Sequence, residues 1–409
     1  MQAKVMLRGK ARLLHEELIL SKEDSMDRGT GGTCRTVSAI AGIAVACLAV
    51  ACRGETVEAR AAPMAAVGEA EVSPPRMAEA ARAFLASLSP EQRAAAEFPF
   101  DADTARTSWS NLPASIVVRD GARVGDFTDL QRRHLHDLLR ASTSSQGYQK
   151  MAGVVRLDEV LHEEAVAAVA SGERRLPDDL VESWTSANYW VSFFGRPGEE
   201  PTWGWQISGH HLAANFTVAD GRISFTPLFL GAEPHEIMHG LDAGWRVLAN
   251  EGERGWRLLQ ALDDGQRARA VLGDDIPRDV LTGPGRKGSL SEFAGLSASA
   301  LTDPQRALLW ELVEEYAANA DHAAADAQLE KIWRDGLAAL HFAWIGPVDE
   351  KSARYYYRVH GPSVLIEYIV ERGVGGGAAN HVHSIMRDPG NDYGEDWLGK
   401  HYEEHHQRR

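Results

Sequence analysis

From Met77 to Ala96 apolar residues recur every three to four positions ("MAEAARAFLASLSPEQRAAA"), and the spacing predicts a helix broken at Ser89-Pro90. The same period runs through "DLQRRHLHDLLRAS" and "YQKMAGVVRLDEVLHEEAVAAVA". The pattern then changes. "YWVSFFG", "TWGWQISGHHLAANFTV" and "RISFTPLFLG" are rich in aromatic and β-branched residues and predict strands, with Asp220-Gly221 as a hairpin turn between the last two. Helical spacing returns from about Pro234 to Leu262 and across "DPQRALLWELVEEYAANADHAAADAQLEKIWRDGL". Strand patterns follow in "LHFAWIG", "YYYRVHG", "SVLIEYIV" and "HVHSIM", with "GVGGGAA" as a flexible loop between the last two. Strands on both sides of a helical insertion predict an α+β fold: one globular domain over 77–402, with a central, mainly antiparallel sheet flanked by helices. Residues 403–409 read as a polar tail.

The N-terminal patterning is of another kind. Arg28 and Arg35 form a basic start, Val37 to Ala51 is apolar, and "AVAC" ends at Cys52, so 26–52 has the layout of an export signal. Small residues before a cysteine resemble a bacterial lipobox, which would make Cys52 the lipid attachment site. The alternative is a membrane anchor, for which fifteen apolar residues are short of the roughly 20 that span a bilayer. Either reading expects an exported protein held at the cell envelope. Residues 1–25 are expected to be an upstream extension, with translation starting at Met26, because "KEDSM" can encode a ribosome-binding sequence just ahead of it. "RGETVEARAAPMAAVGEAEVSPPR" (53–76) has no apolar period and reads as a flexible tether. Cys34, Cys47 and Cys52 are the only cysteines, so no disulfide supports the domain after Cys52.

Composition narrows the function classes. A formal charge of -15, with no Lys/Arg block interleaved with aromatics, excludes a nucleic-acid partner. The expected partners are a small-molecule substrate and, through the N-terminal segment, a membrane.

Four stretches carry candidate chemistry. "HEIMH" (His235-Glu236-His239) matches the zinc metalloprotease pattern. On a helix, however, Ile237, Met238, Leu241, Trp245 and Leu248 would form one stripe, with His235, His239, Arg246 and Asn250 on the other side. The histidines would then start the helix's first turn and face away from the core, and Glu251 fits no standard third-ligand spacing. In "HVHSIM", alternate residues share a strand face, so His381 and His383 project together. In "ISGHHLAAN", His210 and His211 would point to opposite faces. His211 alternates with Trp205, Ile207 and Ala213, and His210 with Gln206 and Ser208. Finally, Glu367 interrupts the apolar run "SVLIEYIV", and a buried carboxylate is costly without a cation or hydrogen-bond donors. His211, Glu367, His381 and His383, with His210 as the substitute, are therefore expected to hold one divalent metal, zinc or iron. In the other reading Glu367 pairs with Arg358 or Arg387 and the histidines are hydrogen-bonded. No serine-hydrolase elbow, P-loop or dinucleotide fingerprint is present.

"FLASLSPEQRAAAEFPFDADTARTSW", "WGWQISGHHLAANFTV", "YYYRVHGPSVLIEY" and "NHVHSIMRDPGNDYGEDWLGKHY" resemble the bacterial and fungal family labelled domain of unknown function 3500, over about Met77 to Tyr402. The resemblance points to Arg106, Trp109, His210, His211, Glu367, His381, His383, Arg387, Asp388, Asp392 and His401. Arg106, Arg387, Asp388 and Asp392 are expected in catalytic or positioning roles, and Trp109 and His401 in binding. The chain departs from the family pattern at Ile369, where an acidic residue follows "EY", and in a longer glycine-rich loop. Together these features predict an exported, lipid-anchored, metal-dependent enzyme, most readily a hydrolase, with redox chemistry open to an iron site. The rival expectation is a non-catalytic ligand-binding envelope protein whose aromatic wall is Tyr189, Trp190, Trp203 and Trp205. A zinc protease through His235, Glu236 and His239 ranks third.

Overall fold

The computed structural model describes residues 73–351, 353–373 and 378–399. The upstream extension, the export signal with Cys52, most of the tether, His401 and the polar tail lie outside the described residues. Helices α1 (Ser73–Ser87), α2 (Pro90–Ala96), α3 (Asp103–Thr107), α4 (Asp129–Ser142), α5 (Ser145–Ala170) and α6 (Asp178–Ser183) occupy the first half. Helices α7 (Ala249–Ala261), α8 (Asp264–Ala270), α9 (Asp303–Ala317) and α10 (His322–Asp335) occupy the second. The break at Ser89-Pro90 has a local cause. Ser89 caps α2 in a reciprocal box with Gln92, and Pro90 fits the first turn, where its missing N–H costs nothing. Thr128 and Gln131 start α4 in the same way. Among the described residues no helix is long and apolar enough to cross a membrane.

Twelve strands form one sheet: β1 (Glu97–Phe98), β2 (Ala122–Arg123), β3 (Tyr189–Phe194), β4 (Thr202–Gly209), β5 (Leu212–Ala219), β6 (Arg222–Ser224), β7 (Leu228–Ala232), β8 (Leu296–Ser297), β9 (His341–Ile345), β10 (Tyr356–Gly361), β11 (Val364–Glu371) and β12 (His381–Arg387). The order is β1-β3-β4-β5-β7-β12-β11-β10-β9-β8, with β2 on β3 and β6 on β5. Every pair is antiparallel except β1 with β3. This is the expected α+β domain. The central join of this open sheet, β7 beside β12, brings the middle of the chain against its C-terminal part.

The sheet has two unlike faces. One packs on α5 and α7 and buries the main core, including Trp203, Trp205, Leu212, Leu230, Tyr357, Ile366, Tyr368 and Val382. Helix α7 approaches closely because Gly255 lies over the Tyr357 ring, where a Cβ would come within 2.4 Å. The other face is more polar. A small apolar patch of Trp109, Ala213, Phe229, Val280, Tyr356, Ile369, Ile385 and Tyr393 joins it to irregular chain rather than to helices.

Two expectations fail here, each for a physical reason. "WGWQISGHHLAANF" is two strands, and its two-residue turn is His210-His211. The alternation restarts at that turn. His211 shares a face with Ala213, as expected, but Trp205 and Ile207 lie on the helical face with Ala214 and Leu212. Trp203 and Trp205 are fully buried core residues, Trp205 stacked on Phe216, and they form no binding wall. Residues 234–248 are not helical, and α7 starts only at Ala249. The segment closes on itself instead: Ile237 N–H donates to the Trp245 carbonyl (3.1 Å) and Gly244 N–H to the Ile237 carbonyl (2.7 Å). Gly240 (φ +83°) and Gly244 (φ +87°) supply left-handed conformations that a helix excludes. Met238 and Leu241, two residues of the supposed apolar stripe, point to solvent.

Candidate metal centre

Three histidines meet on the polar face of the sheet. His383 on β12 faces Gly231 on β7, and the Gly231 N–H donates to the carbonyl of His211 at the end of the β4–β5 turn (2.7 Å). His381 lies two residues before His383 and on the same side. A side chain at position 231 would stand between the rings: a Cβ there would lie 2.7 Å from His211 Cδ2 and 3.0 Å from His383 Cδ2. Glycine is what lets imidazoles from the β4–β5 turn and β12 reach each other beside β7.

The nitrogens that meet are all Nε2. His381 Nε2 is 3.0 Å from His211 Nε2 and 2.9 Å from His383 Nε2, and all three residues are buried. A ring nitrogen has one in-plane position, holding either a proton or a lone pair. His381 Nε2 therefore cannot hydrogen-bond both neighbours. A cation between the rings would engage all three nitrogens, once it had displaced the extra proton of His383. Zinc–imidazole bonds of about 2.0–2.1 Å in a tetrahedral arrangement imply nitrogens roughly 3.3 Å apart, within a few tenths of an ångström of those seen.

The far nitrogens of the rings face carboxylates. His383 Nδ1 lies 2.9 Å from Asp279 Oδ1 and 3.3 Å from Glu371 Oε1. His381 Nδ1 lies 3.7 Å from Glu233 Oε2, and His211 Nδ1 lies 3.8 Å from Asp158 Oδ1. Asp158 also takes His210 Nδ1 at 2.9 Å and the Tyr189 hydroxyl at 2.7 Å. Carboxylates behind metal-binding histidines fix the ring tautomer and raise the basicity of the ligating nitrogen. Burial, with neighbouring histidines second, pushes His211 and His381 well below the usual histidine range, so both rings are neutral. Burial opposes charge on His383 too, but the hydrogen bonds and charges of Asp279 and Glu371 outweigh it and raise that ring to about 10. Asp279 falls below its usual value: His383, Asn111 and the Val280 N–H overcome its desolvation. The cluster is closed on most sides, and Asp279, with a side chain 27% exposed, stands where it meets solvent.

Residues 70–395 match the family model described as Protein of unknown function (DUF3500). The chain belongs to the DUF3500 family. No curated relative and no solved structure matches it.

Within this DUF3500 domain, His211, His381 and His383 come together, while the other candidate residues stand apart from their nitrogens. His210 stacks on the His211 ring (3.7 Å between centroids) but bonds Asp158 instead. Glu367 is not a ligand here. Its oxygens accept from Leu281 N–H (2.6 Å), Thr282 N–H (2.8 Å), the Thr282 hydroxyl and the Tyr356 hydroxyl (2.8 Å). Neither Arg358 nor Arg387 is its partner. Arg387 instead donates to the Thr282 carbonyl (2.8 and 2.7 Å) and pairs with Asp392 (2.6 Å), and Asp388 pairs with Lys331 (2.6 Å). Arg106 holds the Tyr393 carbonyl (3.1 Å) and Asp103. These four were expected in catalytic or positioning roles; here Arg106, Arg387 and Asp392 tie irregular segments together, and Asp388 ties the chain to α10. Trp109 bonds the Tyr393 hydroxyl and packs on Phe229, which itself packs edge-on against His383.

The metalloprotease pattern fails on geometry. Its two histidines lie on a loop, so no helical turn aligns them. His235 Nε2 is taken by Arg246 at 3.1 Å, and Glu236 is bracketed through its backbone by the Asn380 side chain. Sequence reasoning missed Gly231, Asn111 and the carboxylates Asp158, Glu233, Asp279 and Glu371. Only Glu371 left a trace, since it follows Glu367 by four residues and so shares its strand face.

Proposed function

We propose that this DUF3500 domain holds one zinc ion through His211, His381 and His383 and works as a metal-dependent hydrolase. The observation that supports this is the convergence of three buried Nε2 atoms, with His383 hydrogen-bonded through its other nitrogen to Asp279. The donor set favours zinc over iron, because three imidazoles without a carboxylate among them differ from the two-histidine, one-carboxylate set of non-haem iron. Zinc held by His211, His381 and His383 would supply Lewis acidity for a substrate oxygen or a water molecule.

The protein's own groups fit that chemistry. Asp279 and Glu371 hold the His383 Nδ1 proton, so the proton an incoming ion would displace is the one on Nε2, and the freed lone pair would point inward. Phe229 and the apolar patch exclude water from one side, and the exposed edge of Asp279 is the approach for a small polar substrate. The same reading keeps the protein at the cell envelope through a lipid on Cys52, a proposal that rests on the sequence alone. A ligand-binding protein walled by Trp203 and Trp205 is not proposed, because both side chains are consumed by the core.

Metal analysis of the purified full chain tests the reading. One zinc per chain, lost in His211→Ala and His383→Ala, supports it. No stoichiometric metal, and none gained on incubation with zinc or cobalt, overturns it. A panel of ester, amide and phosphoester substrates then tests hydrolysis, where activity in the metal-loaded wild type and none in His383→Ala is expected.

A further inference from the structure

We infer that Glu367, which the sequence offered as a ligand, controls metal affinity from a distance by holding the segment 279–283 against His383. The inference rests on the metal centre proposed above. Strands β11 and β12 present two functions on one face. On β12, His381 and His383 are followed by Ile385 and then Arg387. On β11, Glu371 and Ile369 are preceded by Glu367. The ligand end and the clamp end are four residues apart on β12, roughly 13 Å along an extended chain.

The segment 279–283 bridges them. Asp279 meets His383 Nδ1 at 2.9 Å. Val280, fully buried, plugs the patch made by Tyr356, Ile369 and Ile385. Leu281 and Thr282 give both their N–H groups, and Thr282 its hydroxyl, to Glu367. Arg387 takes the Thr282 carbonyl from the other side. Glu367 is completely buried, so these donors and the Tyr356 hydroxyl are what make its burial tolerable. No helix or strand holds this segment. Beside the two clamps, Asn111 donates to Asp279 Oδ2 (3.0 Å), Arg286 to the Val280 carbonyl (2.5 Å) and Ser289 to the Leu281 carbonyl (2.9 Å), but only Glu367 takes the backbone N–H groups of Leu281 and Thr282. Without the Glu367 clamp Asp279 is held by Asn111 and Arg286 alone, its approach to His383 loosens, and the ring's inward nitrogen is oriented less well.

The experiment is a double-mutant cycle on the full chain, read as the affinity for cobalt and as the visible spectrum of the cobalt-loaded protein. Asp279→Asn is expected to weaken cobalt binding 10- to 100-fold, the usual cost of removing such a partner. Glu367→Gln is expected to weaken it at least tenfold and to change the cobalt band, although it touches no ligand. The two together are expected to cost no more than Asp279→Asn alone, because Glu367 acts through Asp279. Thr282→Ala, which removes one hydroxyl and leaves the carboxylate, is expected to shift affinity in the same direction. It decides the matter if Glu367→Gln does not fold. Cobalt affinity within twofold of wild type in Glu367→Gln, or in Thr282→Ala where that variant decides, would overturn the inference, as would losses that multiply in the double variant. A wild-type chain that binds no cobalt defeats the metal centre itself, which is a different result.

Discussion

His381 and His383 approach each other through the same kind of atom, Nε2 to Nε2 at 2.9 Å, with the ring planes at 89°. A hydrogen-bonded imidazole pair needs a donor on one side and a lone pair on the other. Here His383 Nδ1 is held by Asp279 at 2.9 Å, while His381 Nδ1 and His211 Nδ1 stand 3.7 and 3.8 Å from their carboxylates, too far for hydrogen bonds. An ion between the Nε2 atoms would replace the extra proton of the pair. Metal loading should therefore raise the thermal midpoint of the domain, by an amount that grows with free zinc concentration, since only the folded state binds tightly. A midpoint indifferent to zinc and to chelator would contradict this.

Gly231→Ala is the smallest change expected to harm the centre. The added methyl group would lie within 2.7 Å of one ligand ring and 3.0 Å of another. Zinc affinity should fall by about tenfold or more, in the range of indirect ligand perturbations. The neighbouring pairs of β5, β7 and β12 should survive. Metal titration with circular dichroism on the same sample separates the two effects.

Glu236→Gln and His239→Ala should leave metal stoichiometry unchanged and affinity within about twofold, because both side chains lie on the closed loop away from the three Nε2 atoms. Loss of metal in either variant would restore the protease pattern to consideration.

On the opposite face, Lys150 bridges Glu251 (2.6 Å) and Glu315 (2.7 Å) with all three groups buried. Removing the cation leaves two carboxylates without their shared partner, and burial already pushes Glu251 upward despite Lys150. Lys150→Met should lower unfolding free energy by roughly 3–5 kcal/mol, the usual cost of breaking a buried pair. Metal content should not change, as the centre lies across the sheet. Denaturant midpoints on chelator-treated protein give the comparison.

The pH dependence of the metal-free protein has a defined sign. Burial first, and the adjacent Arg246 guanidinium second, push His235 down to about 4. Its unfolded value is 6.5, so between those two pH values the unfolded chain binds a proton that the folded chain does not. Stability from this group is complete above 6.5 and declines as pH falls toward 4, by up to about 3 kcal/mol. His235→Gln should flatten that decline between pH 6.5 and 4 in urea titrations; an unchanged slope would remove His235 as its source.

The sequence made the framework legible where a pattern stayed within one element. "DLQRRHLHDLLRAS" is α4 residue for residue, and the His-Val-His alternation on β12 follows from the period of a strand. It failed where a turn interrupted the period. His210-His211 reset the alternation within "GHHL", which sent Trp203 and Trp205 into the core. The apolar spacing of 234–248 imitated a helix, while Gly240 and Gly244 closed it as a loop. The carboxylates behind the histidines were illegible for another reason. Asp158 comes from α5, Glu233 from the residue after β7 and Asp279 from irregular chain, and nothing local in those segments refers to a histidine 50 to 150 residues away. Glu367 was correctly singled out as an anomaly, since a buried carboxylate must have donors. Which donors it had depended on a loop 85 residues earlier.

The β7–β12 pairing has a consequence for the order of events as the chain folds. Position 211 and positions 381 and 383 are brought together only when the last strand docks beside β7, so the centre is among the most non-local contacts in the molecule, and such contacts form slowly. A ribosome must finish nearly the whole domain before any ligand set exists, and a shift of β12 by one residue would turn both of its histidines toward the helices. Ion capture would thus be a late checkpoint on strand pairing: a chain paired in the wrong register would be one that cannot be loaded.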